Sequence, residues 1–253
     1  MNESAHTQQQ RQFKILLIGD NCTDIYQYGT VDRISPEAPV PVFVPKFTDS
    51  KPGMAGNVYA NLTALGCTVD YRYNDTSTKT RLIDDRSKQH IVRIDNDVKS
   101  NPISINELDV TNFDAIVISD YNKGTVDYQL IEELIKTKIP VFVDTKKTDL
   151  ERLQGAWVKI NELEYSKIKS ECTGLIVTQG DKGAKVIHHD IYCSAPKVEV
   201  ADVCGAGDTF LSALTYQYLN TNDIEKSINF AINASAVTVQ HLGNYAPTLK
   251  EIK

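Results

Sequence analysis

Residues 200–210 read VADVCGAGDTF, and the LSALTYQYL that follows has apolar residues at helical spacing. A Gly205-Ala206-Gly207 turn entering a helix leaves backbone N–H groups unobstructed at the positive end of the helix dipole, which suits an anion. Asp208 behind them has two readings. It is a favourable acid at a helix start; alternatively, it accepts the proton of an attacking hydroxyl while the N–H groups stabilise charge on a transferring phosphoryl group. Local chemistry leaves the two even. Phe210 stands where a G-x-G-x-x-G dinucleotide turn needs its third glycine, and no G-x-x-x-x-G-K-[ST] occurs, so neither standard nucleotide loop explains the turn.

The rest of the chain must hold this turn in place. Short β-branched runs at 14–19, 115–119, 140–144, 157–160 and 175–180 are apolar without alternation, as strands buried on both faces are. Segments 57–65, 127–137 and 223–242 between and after them have helical period. That order predicts an α/β fold, a mostly parallel central sheet flanked by helices, with ligands gathered at the carboxyl ends of the strands. Two segments depart from it. About 24–50 and 78–97 alternate polar and apolar residues, which predicts antiparallel strands in a small β lid over the main sheet, its outer face a place for self-association.

Composition narrows the partners. The 253 residues, 41% of them apolar, are enough for one full core, and a net charge of -6 argues against nucleic acid or a membrane surface. No run is long enough to span a bilayer, and MNESAHTQQQRQ lacks a signal peptide's apolar stretch, so a disordered tail over 1–12, a single domain over 13–253 and a cytoplasmic location are expected. Five scattered cysteines without a C-x-x-C pair read as buried reduced thiols, and the five histidines have no metal-ligand spacing.

DVCGAGDTF resembles the signature of the ribokinase-like, phosphofructokinase-B type sugar kinases. That resemblance implies that Asp208 is the catalytic base and that Gly205, Ala206 and Gly207 form the anion hole. Other segments agree in chain order. NELE resembles the family's N-x-x-E, implying that Asn161 and Glu164 help place magnesium, indirectly, and phosphate. VTQGDKGA resembles the turn near the nucleotide, with Thr178, Gly180 and Gly183. PGMAGNVYANL resembles the sugar-side motif, with Gly53 and Asn57; GDNCTD puts Asp24 at the sugar hydroxyls. Within the family, RISPEAPVPV and nearly the whole chain after residue 12 resemble the D-glycero-D-manno-heptose 7-phosphate kinases.

The resemblance implies ATP and magnesium as cofactors, a sugar phosphate as substrate, a homodimer through the β lid, and phosphorylation of the anomeric hydroxyl. Some heptose kinases are fused to a nucleotidyltransferase; this chain lacks its H-x-G-H motif, so the kinase step alone is expected. Three features depart from the family pattern: an abbreviated passage after residue 75, another before residue 175, and Met54 in place of the second sugar-side glycine.

Several assignments stay open. Lys123 and Lys146 are candidates for a substrate phosphate or are solvated lysines. Arg33 and Glu37 make a sugar-lid contact or a surface ion pair. Asn233 lies beside the nucleotide or is a satisfied buried amide. The alternatives to a heptose kinase are a kinase for another sugar and a catalytically silent sugar-phosphate binding protein.

Overall fold

The computed structural model describes residues 12–252; the expected tail lies outside them except for Gln12. In chain order the elements are β1 (Lys14–Gly19), β2 (Asn21–Ile34), β3 (Pro41–Met54), α1 (Ala55–Ala64), β4 (Thr68–Arg72), β5 (Thr76–Asp84), β6 (His90–Asn96), β7 (Ala115–Asp120) and α2 (Tyr128–Lys136). They continue with β8 (Val141–Thr145), β9 (Trp157–Asn161), α3 (Glu162–Tyr165), β10 (Leu175–Thr178), β11 (Ala184–Val186), β12 (Ile191–Cys193), α4 (Ala206–Thr221) and α5 (Ile224–Thr238).

The main sheet has eight strands in the order β12-β11-β10-β9-β8-β7-β1-β4. From β4 to β10 all pairings are parallel, and β11 and β12 close the edge antiparallel. Helices cover both faces, which explains the unbroken apolar runs. Along β1, Ile15 and Leu17 enter the core against α1, α4 and α5, while Leu16 and Ile18 enter the core against α2. Parallel strands put their carboxyl ends on one edge, so Asp20, Tyr121, Lys146 and Asn161 all follow or end strands there.

The lid is a four-stranded sheet in the order β3-β2-β5-β6. Its hairpins β2–β3 and β5–β6 are antiparallel as expected, but β2 and β5 pair in parallel, which corrects the wholly antiparallel expectation. The chain leaves β3 through α1 and β4 before it returns, and such a crossover delivers the next strand in the same direction. Among the described residues no helix is long and apolar enough to cross a membrane.

Candidate active site

The first α-helical bond of α4 runs from Thr209 N–H to the Gly205 carbonyl, 2.9 Å. The N–H groups of Gly207 and Asp208 precede it and have no partner among the described residues, and Ala206 N–H makes only a 3.4 Å bond to Val203. Gly205 has φ 76°, and a Cβ there would meet Asn57 Nδ2 at 2.8 Å, so both the turn and the close approach require glycine.

Asp208 does not cap its own helix. Its Oδ2 accepts from Asn57 Nδ2 at 2.8 Å, and its Oδ1 accepts from the Tyr121 hydroxyl at 3.1 Å. The side chain is buried, and its pKa is pushed up to about 6. Burial is the largest cause and the Asp144 carboxylate adds to it; the Asn57 bond, Lys159 and the Tyr121 bond oppose it. Asn57 is positioned through α1: Asn61 Nδ2 donates to the Asn57 carbonyl at 2.8 Å, and Thr209 Oγ1 donates to Asn61 Oδ1 at 2.8 Å. That buried ladder locks α1 to α4. Burial also raises the Tyr121 phenol well above its ordinary range, with Asp208 adding to the shift, so it stays a donor.

Tyr121 is set by a turn that Asp20 organises. The buried Asp20 carboxylate accepts the backbone N–H groups of Tyr121 and Lys123 at 2.9 Å and of Thr125 at 3.2 Å. Lys123 reaches Asp97 at 2.5 Å, so its charge is paired at the base of the lid. Lys146 packs 5.3 Å from the Tyr121 ring centre and pairs with Glu164. Asn161 and Glu164 form a capping box: Asn161 Oδ1 accepts Glu164 N–H at 2.9 Å, and Glu164 Oε2 accepts Asn161 N–H at 2.8 Å. N-x-x-E therefore also starts α3, and both Glu164 oxygens are engaged.

Asp24 is buried on the lid's inner face and pairs with Arg81 at 2.6 Å. Gly53 makes room for it, because a Cβ there would stand 2.3 Å from Asp24 Oδ2. Met54 takes φ 51° and ψ -131°, a backbone conformation that favours glycine, while its side chain is buried.

Beside the anion-hole turn lies a cavity of about 650 Å³, and Thr178, Gly180, Gly183, Ala206 and Gly207 are among the residues that line it. Its other walls are mostly apolar, including Val198, Val200, Val203, Phe210, Ile232 and Val239. An apolar-walled space that ends at N–H groups without a partner among the described residues fits a nucleotide base leading to phosphates.

Three candidates fall outside this cluster. Asn233 is half-buried on α5 but is not among the residues that line the cavity, a wall built from Ile232, Ser235 and Ala236 of α5 and from Val239 just after it. Arg33 and Glu37 are exposed at the far end of the β2–β3 ribbon, roughly 30 Å along the strand from Asp24 at about 3.3 Å per residue. Residue type and motif place them in the lid but do not give the reach of the ribbon.

The sequence reading missed Asp20, Tyr121 and a buried ion pair beneath the anion hole, Lys159 Nζ to Asp144 Oδ2 at 2.6 Å. Burial presses the Lys159 pKa down, but the charge and hydrogen bond of Asp144 outweigh it and the net shift is upward. The available signal was a lysine inside a strand whose neighbours are all apolar, since such a lysine must be paired.

The family model for pfkB family carbohydrate kinases matches residues 68–251. The chain is 32% identical over 298 aligned positions to the bifunctional protein HldE of Nitratiruptor sp. and 30% identical over 303 to that of Aliarcobacter butzleri, covering 95% and 94% of this chain. It spans 64% and 63% of the length of those relatives. The alignments are longer than the chain, so the relatives carry internal residues that this chain lacks. Among solved structures, ribokinase of Thermotoga maritima superposes with a TM-score of 0.70 at 16% identity, covering 95% of this chain and 98% of that one. Phosphofructokinase-2 of Escherichia coli gives 0.72 at 15% identity, covering 95% and 97%. These two likenesses establish the ribokinase-like fold.

Proposed function

The chain belongs to the pfkB family of carbohydrate kinases, phosphotransferases with an alcohol group as acceptor, and on that premise we propose that it transfers the γ-phosphoryl group of ATP to the anomeric hydroxyl of D-glycero-D-manno-heptose 7-phosphate, giving the 1,7-bisphosphate. The observation that carries the reading is Asp208: a buried carboxylate, held by Asn57 and Tyr121 rather than by its own helix, beside unpaired N–H groups. The likeness to HldE proteins supports the choice of a heptose phosphate.

In this mechanism Asp208 takes the proton of the acceptor hydroxyl while the hydroxyl oxygen bonds to the γ-phosphorus, the bond from that phosphorus to the β,γ-bridging oxygen breaks, and ADP leaves. The N–H groups of the Gly205–Asp208 turn face the charge that develops on the transferring group. Magnesium-ATP supplies the phosphoryl group and the cationic charge that neutralises it. The cavity ending at Ala206 and Gly207 holds the nucleotide, with Thr178, Gly180 and Gly183 along one side. Asn161 and Glu164 act on magnesium indirectly, since their side chains already bind each other's backbone. Asp24, oriented by Arg81, holds sugar hydroxyls, with Gly53 giving it space. Lys123, paired with Asp97, and Lys146, paired with Glu164, offer charge to phosphate groups. Residues 13–253 act as one catalytic unit in the cytoplasm, with the segments 24–50 and 78–97 as a lid that excludes water.

The lid also provides a dimer interface in this reading. On its outer face Ile94 lies opposite Thr80 and Ile25, and Val92 lies opposite Leu82 and Gln27. Val92 and Ile94 are exposed, and such an apolar sheet face is suited to pairing with a second copy.

The test is phosphorus NMR of the protein with magnesium-ATP and the heptose 7-phosphate, run beside fructose 6-phosphate, ribose and an Asp208→Ala control. An anomeric phosphate formed only with the heptose and only by the unmutated protein is the expected result. Transfer to another sugar alone would overturn the substrate, and binding without any transfer would overturn the reaction.

A further inference from the structure

We infer that the ammonium of Lys159, held by Asp144, is a fixed positive charge beneath the anion hole that positions and stabilises the arriving phosphoryl group. This rests on the phosphotransfer reading. Lys159 and Asp144 are register partners on β9 and β8, and both point to the side of the sheet covered by α4, since Val158, Ile160 and Val143 face the opposite core. The lysine is 4% exposed. A Cβ on Gly207 would stand 2.7 Å from its Nζ, so only the bare backbone of Gly207 separates the ammonium from the turn whose N–H groups are unpaired.

Stability gives no reason for this arrangement, because a buried ion pair is commonly matched or bettered by apolar residues of the same volume. Hydrogen-bond capacity points the same way. The ammonium has three donors, and its one hydrogen-bond partner among the described residues is Asp144 Oδ2. Three carboxylates, Asp144, Asp208 and Glu164, act on Lys159, and of these Glu164 already has Lys146 as its partner. A polyphosphate brought to the start of α4 would meet the carboxylates of Asp144 and Asp208, and Lys159 is the buried cation set directly under its landing point.

The experiment compares the wild type, Lys159→Met, and two charge-free pairs. Asp144→Asn/Lys159→Gln keeps a hydrogen bond without charge, and Asp144→Leu/Lys159→Met replaces the pair by apolar groups in case the amide pair folds poorly. Melting temperature, kcat and KM are measured, with calorimetric affinities for magnesium β,γ-imido-ATP and magnesium-ADP. Lys159→Met leaves Asp144 buried alone and is expected to lower the melting temperature, and a charge-free pair to restore it. The restored pair should still lose on the order of 10- to 100-fold in kcat with little change in the sugar KM, and about tenfold in affinity for imido-ATP against less than about twofold for ADP. A merely structural pair would regain kcat along with stability, and that outcome overturns the inference. If the wild type transfers to no sugar, the phosphotransfer reading fails, and the imido-ATP to ADP ratio still decides the role of Lys159: an unchanged ratio, or no nucleotide binding at all, overturns it.

Discussion

Replacing Asp208 by Asn should remove activity and make the protein more stable, and the size of the second effect follows from the site. In the folded chain the carboxyl titrates at about 6 against an ordinary 3.8. A folded-state value above the unfolded one means that ionisation is resisted by the fold. The cost is therefore absent below about pH 4, grows between about pH 4 and 6, and is fully present above. Two units correspond to about 3 kcal/mol. An asparagine offers one carbonyl oxygen where the carboxylate accepts from both Asn57 and Tyr121, so one hydrogen bond is lost, about 1 kcal/mol. The net gain of about 2 kcal/mol at pH 8 is about 4–8 °C in melting temperature for a chain of this length. Thermal unfolding of both proteins at pH 4.5 and pH 8 measures it, and the difference should shrink at the lower pH. Turnover should fall on the order of 10²–10⁴-fold, and wild-type kcat/KM should decline about tenfold per pH unit below about pH 6. If the Asp208→Asn variant were less stable than the wild type at pH 8, or equally shifted at both pH values, the account of a base kept reactive by burial would be refuted.

Met54 should invert an ordinary order of substitutions. Met54→Ala deletes buried packing and keeps the φ 51° backbone, costing about 2–4 kcal/mol, whereas Met54→Gly releases about 1–3 kcal/mol of backbone strain and should be the more stable of the two in urea unfolding. On the lid, Val92→Lys/Ile94→Lys places two charges on the outer apolar face, and sedimentation velocity should show a dimer for the wild type and a monomer for the variant, with the melting of the main domain unchanged.

What the sequence revealed and what it hid divide along physical lines. The five inner strands were legible because each is buried on both faces, which leaves short, β-branched, largely apolar runs. The edge strands β4 and β12, and β11 next to β12, were not: TVDYR, IYC and AKV are short and partly polar, and only their neighbours make them strands. The same contrast holds in the site. The anion-hole turn is local, so its glycines announce it; the partners of Asp208 come from α1 and from the turn after β7, and no spacing in the chain brings Asn57, Tyr121 and Asp208 together. Asp20 was assigned nothing, because its three acceptor bonds go to a turn about a hundred residues away. Lys159 is the instructive case. The run WVKI was read as a strand buried on both faces, and that reading already required the lysine to be buried. A buried lysine requires a carboxylate, and a neighbouring parallel strand offers one at Asp144, its register partner at the same edge. The pair was thus deducible once the strand order was known, and the strand order is what a parallel sheet, with its helical crossovers, withholds from local patterning.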